Sequence, residues 1–244
     1  MGDLRDRKLI LALDLDDISK VKELVGALKE DIAYFKVGSQ MFTRFGPVII
    51  DAIKEKGGEI FLDLKYHDIS NTCALAAKEV VRLGVGMFNV HALGGREMMQ
   101  RTREEVVECA TVANIDVPKI LGVTVLTSLG QEDVEALGIK MRIDQLVLHL
   151  ASIARDAGLD GIVASPQEIK SIRNICGPSF LIVTPGIRPR SVRLEIDDQK
   201  RVMTPDEAVR LGADYLVIGR PILRASDPVS MAHKILEEMR SGES

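Results

Sequence analysis

A chain of 244 residues, 46% apolar, only 4% aromatic and without Trp, has the composition of a globular core built from Ala, Val, Ile and Leu. Its net charge is −4, and its Lys and Arg are scattered with no basic stripe, which excludes the electrostatic footprint of a nucleic-acid binder. No apolar run approaches the ~18 residues that span a bilayer, so neither a membrane segment nor a membrane partner is expected. The charged residues 1–8 lead straight into a strand, which argues against a signal peptide, and Arg5 and Asp6 break any myristoylation pattern at Gly2. Cys73, Cys109 and Cys176 are odd in number, far apart and in helix-like apolar surroundings. They read as buried thiols of a cytoplasmic protein, neither disulfides nor a zinc site.

In chain order, the first strand spans 9–13 and runs into Asp14; its helix, 18–28, is apolar at Val21, Leu24, Val25 and Leu28, the spacing of one helical face. A second strand, 34–38, precedes a helix near 48–56 stopped by Gly57 and Gly58. The third strand opens at Ile60 and carries Asp63, Lys65, His67 and Asp68 in quick succession; Ser70 or Asn71 can cap the helix that continues to Leu83. Strand four (87–92) leads through Gly94 and Gly95 to a helix over 96–110. Strand five is expected over 119–126, followed by a short helix at 132–137 and a long one at 143–157. In that long helix His149 reads as a satisfied core residue. Strand six (161–164) precedes a helix start at Pro166, strand seven covers 180–184 and strand eight 215–218. Asp227 and Pro228 open the last helix, to about Met239.

Short, continuously apolar strands alternating with amphipathic helices mean parallel strands covered on both sides. Eight such units in this length fit a closed (β/α)8 barrel, an α/β TIM barrel forming one catalytic domain over 1–244.

Active sites of such barrels form at the C-terminal strand ends. Those ends here carry Asp14, Lys36, Asp63 with Lys65 and Asp68, His91, Thr127, Arg188, and Gly219 with Arg220. Period-2 alternation puts Asp63 and Lys65 on one face, roughly 7 Å apart along the backbone. An isolated Asp-x-Lys would be a solvated strand end with an ion pair, but charge at strand after strand on one rim serves no purpose in a barrel built only for stability. Like charges ~4 Å apart repel by ~4 kcal/mol at an effective dielectric near 20, and an alternating Lys-Asp-Lys-Asp chain avoids that cost. Such an array suits a reaction that expels negative charge and then needs a proton.

Loops seven and eight are the usual phosphate site of this fold. Gly186 and Gly219 let backbone N–H groups approach an anion, and Arg188 and Arg220 can bind phosphate in bidentate fashion. The charged stretch between Ile187 and Met203 reads either as a solvated loop or, better, as a lid over the phosphate. Asp14, Asp63, Asp68 and His91 have the donor chemistry of a Mg²⁺ or Zn²⁺ site. Lys36 and Lys65 compete with a cation for the same space, so no metal is expected.

Phe61-Leu-Asp-Leu-Lys-Tyr-His-Asp-Ile-Ser-Asn-Thr72 resembles the signature of the orotidine 5′-phosphate decarboxylase family. So do Ala12-Leu-Asp14, Phe35-Lys-Val-Gly38, Thr184-Pro-Gly-Ile-Arg-Pro189, Asp198-Gln-Lys-Arg201 and Val217-Ile-Gly-Arg-Pro221, in family order over nearly the whole chain. The resemblance implies decarboxylation of orotidine 5′-monophosphate (OMP) to UMP, the last step of de novo UMP synthesis, by a homodimer without cofactor or metal. It implies that Lys65 delivers a proton to C6 of the pyrimidine, that Asp63 lies against the substrate carboxylate, and that Lys36 and Asp68 complete the charged chain. It further implies that Asp68 and Thr72 reach into the partner subunit's site, that Asp14 and Lys36 bind ribose hydroxyls, and that Thr127 meets the pyrimidine edge. Arg188, Gln199, Gly219 and Arg220 would hold the phosphate. Two departures stand out: Ser70 replaces a frequent proline, and the segment between Arg188 and Gln199 is a couple of residues longer than in close relatives.

Two other readings compete. A Mg²⁺-dependent sugar-phosphate enzyme such as 3-keto-gulonate-6-phosphate decarboxylase shares the barrel and an Asp-x-Lys-x-x-Asp strand end. A catalytically silent nucleotide-binding barrel would have no use for Lys36, Asp63, Lys65 and Asp68 together.

Overall fold

A computed structural model describes residues 8–190 and 202–242. Among them, eight parallel strands pair in chain order, and β1 pairs with β8 to close the barrel. The chain runs β1 (Leu9–Ala12), α1 (Ile18–Leu28), β2 (Tyr34–Gly38), α2 (Ser39–Phe45), α3 (Val48–Lys54), β3 (Ile60–Tyr66), α4 (Ser70–Leu83), β4 (Met87–His91) and α5 (Gly95–Ala113). It continues β5 (Lys119–Val123), α6 (Gln131–Ala136), α7 (Ile143–Asp156), β6 (Gly161–Val163), α8 (Ile169–Cys176), β7 (Leu181–Thr184), α9 (Pro205–Arg210), β8 (Tyr215–Ile218), α10 (Arg220–Leu223) and α11 (Pro228–Ser241). The α/β barrel expected from the alternation of patterns is the fold.

Because side chains alternate along a strand, each one feeds two cores. One set, including Leu9, Leu11, Phe35, Val37, Ile60, Leu62 and Phe88, packs outward against the helices. The other, Ile10, Ala12, Tyr34, Phe61, Met87, Leu121, Val183, Tyr215 and Val217, packs together as a separate cluster inside the barrel. Tyr34 and Tyr215 meet there edge to face with centroids 5.7 Å apart. Reading the inner set upward along its strands, Tyr34 is followed by Lys36, Phe61 by Asp63, and Met87 by Asn89. The parallel register, with Lys36 opposite Phe61 and Gly38 opposite Asp63, therefore stacks a polar layer directly on the apolar plug.

Several boundaries differ from expectation. Strand five stops at Val123, because its neighbours β4 and β6 supply ladder partners only as far as His91 and Val163. Helix α2 replaces an unassigned stretch, and α9 begins at a capping box in which the Thr204 N–H donates to Glu207, a Thr-x-x-Glu signal present in the sequence. Asp227 does cap α11, accepting from the Ser230 N–H at 3.0 Å. His149 is exposed and not a core residue. The buried stripe of α7 is Leu146, Val147, Leu150, Ala151 and Ala154, and at 100° per residue His149 falls on the far side. Neither Ser70 nor Asn71 caps α4; the helix starts at Ser70, with Ile69 in the cap position. Cys73 and Cys176 are buried, Cys109 is half-buried, and all three are free thiols. Among the described residues no helix is long and apolar enough to cross a membrane.

Past β7, the N–H groups of Arg188 and Met203 bond the carbonyls of Met203 and Gly186, which pins both ends of the intervening segment to the barrel. Beside this pin the buried Asp206 carboxylate accepts from Thr204 Oγ1 at 2.7 Å and from Arg190 at 2.8 Å, with Arg210 at 3.2 Å. Burial alone would raise its pKa, but the Thr204 and Arg190 hydrogen bonds and the Arg190 charge hold it at about 2, below the usual 3.8. A depressed carboxyl stabilises the fold above its unfolded value and loses that contribution as pH falls through its folded value. Asp206→Asn should therefore lower the melting temperature by a few degrees at neutral pH and flatten its pH dependence between 3.8 and about 2, as followed by circular dichroism.

Candidate active site

A cavity of about 360 Å³ opens above the apolar plug at the C-terminal ends of the strands. Asp14, Lys36, Asp63, Lys65, Thr127, Arg188, Gly219 and Arg220 all line it. With Gly186, nine positions singled out in the sequence, from β2, β3 and the segments after β1, β5, β7 and β8, thus converge on one space.

The centre of the site is the Asp63 carboxylate. Oδ2 lies 3.1 Å from Lys36 Nζ, and Oδ1 accepts from Lys65 Nζ at 2.7 Å and from Asn89 Nδ2 at 2.7 Å. Lys36 Nζ is also 4.0 Å from Asp14. The Asp63 and Lys36 side chains are each 12% exposed, so their charges are largely withdrawn from water. Burial drives the Asp63 carboxyl upward, yet the charges of Lys36 and Lys65, with the Lys65 and Asn89 hydrogen bonds, outweigh it and hold the group below its ordinary 3.8. Ionised Asp63 is the state these partners select.

Lys65 departs from plain strand alternation. Its φ is +53°, the left-handed region that costs a non-glycine residue of order 1–3 kcal/mol. The β3–β4 ladder shifts register at this point: Leu62 pairs with Phe88 and Tyr66 with Val90, so residues 63–65 face Asn89 alone. Lys65 keeps its place beside Asp63 through the bulge, and its displaced N–H donates to Asn89 Oδ1 at 2.8 Å. Asn89 is fully buried and was not singled out in the sequence. A polar residue at an inward position of the strand Met87-Phe-Asn-Val-His91, with a barrel core below it, was the available signal.

Asp68, in the β3–α4 connection, and Thr72, in the first turn of α4, do not line this cavity; both are exposed. Asp68 Oδ1 accepts from the Ile69 N–H at 2.7 Å, and its own N–H points at the buried Cys73 Sγ, 3.2 Å away, which fixes the turn before α4. His91 stands at the end of β4 with its ring 5.3 Å from that of His67; burial first, then His67 and Lys65, lower its pKa from 6.5. Among the described residues no group of three or more His, Cys, Asp or Glu gathers closely enough to hold a metal ion.

At the opposite side of the cavity Gly186 has φ +78°, a conformation that a side chain would strain, and it lies beside Arg188. A Cβ at Gly219 would meet the Ala12 Cβ at 3.0 Å and the Ala12 carbonyl at 3.3 Å, a tight fit that glycine avoids where β8 passes β1 before Arg220. Gln199 lies outside the described residues.

Fold and site together define a (β/α)8 barrel enzyme with an interleaved lysine–carboxylate cluster facing an arginine- and glycine-lined pocket end. Residues 7–235 match the model of the orotidine 5′-phosphate decarboxylase / HUMPS family, and the chain belongs to that family. It is 54% identical over 240 residues to the orotidine 5′-phosphate decarboxylase of Syntrophus aciditrophicus, covering 96% of this chain and 94% of that protein. It is 51% identical to that of Geobacter sulfurreducens over 235 residues, 96% and 97% of the two chains. The crystal structure of orotidine 5′-phosphate decarboxylase from Lactobacillus acidophilus superposes with a TM-score of 0.83 at 37% identity, covering 96% of this chain and 99% of that one.

Removing the Asp63 charge would leave two ammonium groups facing each other, that of Lys36 largely withdrawn from water. Breaking such a buried arrangement costs about 3 kcal/mol, equivalent to roughly 6–12 °C in melting temperature for a chain of this size. Asp63→Asn should show that loss in thermal unfolding, and adding Lys36→Met should restore part of it by removing the repulsion.

Proposed function

We propose that the chain decarboxylates OMP to UMP without metal or cofactor. The observation that carries the reading is the Asp63 carboxylate clamped between Lys36 and Lys65 on the floor of a cavity whose far end is lined by Arg188, Gly219 and Arg220. The orotidine 5′-phosphate decarboxylases to which the chain is similar support the reaction, and this cluster supports its chemistry.

The nucleotide phosphate would sit at Gly186, Arg188, Gly219 and Arg220, with Gln199 joining them, and the ribose hydroxyls would face Asp14 and Lys36. Thr127 would meet the pyrimidine edge, which leaves C6 over Asp63 and Lys65. The bond from C6 to the carboxylate breaks, CO₂ leaves, and the electron pair stays on C6. Lys65 Nζ then gives its proton to C6, forming UMP, and is reprotonated from solvent. Preorganised charge in a water-poor site provides the largest part of such acceleration, because the dipoles and charges need not reorganise as the carbanion forms. Binding of the distant phosphate contributes by holding C6 over the lysine. A divalent ion at Asp14 and Asp63 would face the Lys36 ammonium already between them, which weighs against a Mg²⁺-dependent sugar-phosphate reaction.

Asp68 and Thr72 belong to the reading as residues that complete the site of a second subunit in a homodimer. Their exposure, and their absence from the lining of their own cavity, supports this assignment.

The deciding experiment is the ultraviolet absorbance of OMP mixed with purified protein and excess EDTA. Loss of the orotate band as UMP forms is expected; no change, followed by turnover of sugar phosphates with Mg²⁺, would overturn the reading. Lys65→Ala should reduce turnover by at least ~10³-fold while the protein still folds and binds UMP, since a proton donor acts only after substrate is bound. Mixing inactive Lys65→Ala with inactive Asp68→Ala protein should restore part of the activity. Absence of rescue in confirmed mixed dimers would return Asp68 to its own subunit.

A further inference from the structure

We propose that Asn89 is the positioning residue that sets the geometry of Asp63 and Lys65, one side-chain amide holding both the carboxylate and the strained backbone of the proton donor. The inference rests on the decarboxylase reading above.

Its basis is the register shift. Opposite residues 63–65 of β3, β4 offers Asn89 alone. Where a regular ladder would satisfy the Lys65 N–H with a backbone carbonyl, the bulge leaves it to Asn89 Oδ1 at 2.8 Å. The other half of the amide donates to Asp63 Oδ1 at 2.7 Å, the same oxygen that receives Lys65 Nζ. Only one orientation of the amide satisfies both neighbours: a peptide N–H needs an acceptor and a carboxylate needs a donor. Asn89 has no exposure to solvent, so water cannot replace either bond. Its β5 partner is Leu121, which cannot compete for the amide. The position thus ties the left-handed φ of +53° at Lys65 to the direction of the Asp63 carboxylate. A leucine of similar volume would leave the Lys65 N–H unsatisfied and free residues 63–65 to relax toward ordinary strand geometry.

Asn89→Asp offers a test that a purely structural role would not pass. A carboxyl group there still accepts from the Lys65 N–H and, while protonated, still donates to Asp63. Once ionised it sets two carboxylates against each other. The charged and titratable groups around it are Asp63 and Lys65 on β3, Lys36 on β2, His91 on β4, and His67 in the connection after β3. The carboxyl pair shares a proton with one strongly raised pKa, so kcat of Asn89→Asp relative to wild type should fall as pH rises from ~5 to ~8. Asn89→Leu, measured at neutral pH, should lose about a hundredfold in kcat with KM changed by less than about threefold, since small misplacements of reacting groups act on the chemical step.

Wild-type turnover with Asn89→Leu within twofold of its kcat would overturn this inference alone, as would an Asn89→Asp loss that is equal at every pH. Where Asn89→Leu fails to fold, the pH profile of Asn89→Asp decides. A wild-type chain without OMP turnover would overturn the functional reading and this inference with it.

Discussion

The Asp63 carboxylate between two ammonium groups is the constraint around which the rest of the barrel is arranged. Withdrawing an ion from water costs several kcal/mol, which only close and well-directed partners offset. Those partners come from three neighbouring strands: Lys36 on β2, Lys65 on β3 itself and Asn89 on β4. Their atoms must hold position to a few tenths of an ångström, so the charged cluster depends on the packing beneath and around it.

That packing is divided by the alternation of strand side chains. The outward set makes the helix-facing core, and the inward set fills the bottom of the barrel with Phe61, Met87, Leu121 and the Tyr34–Tyr215 pair. One step up each of β2, β3 and β4 the inward residue becomes polar. The apolar plug closes the site from below, which lowers the local dielectric and strengthens every charge interaction above it. Apolar packing occupies the lower layers and the charged cluster the upper one, with the bulge at 63–65 marking the boundary.

Much of this was legible in the sequence. The eight strands, the parallel barrel and nine of the cavity-lining residues follow from apolar runs, helical spacing and the residues at strand ends. The misreadings have local causes. His149 looked buried because apolar residues flank it, although its angular position on α7 faces solvent. Ser70 and Asn71 looked like caps by residue type, whereas the turn before α4 is held by Asp68 and the Cys73 thiol. Strand five read too long because β-prone residues continue past the point where its neighbours stop pairing. Asn89 escaped notice because a lone asparagine in an apolar strand carries no chemical motif.

The sequence by itself determined the class of fold, the family resemblance and the set of charges that meet at one rim, because periodicity and residue type are local properties. The tertiary structure alone decided that Lys65 turns left-handed, that Asp68 and Thr72 do not line the cavity, and that Asn89 clasps Asp63. The last contact joins residues 26 positions apart. It exists because β3 and β4 pair with Leu62 opposite Phe88, which sets Asp63 beside Asn89, and register is set by the packing of whole strands against their neighbours.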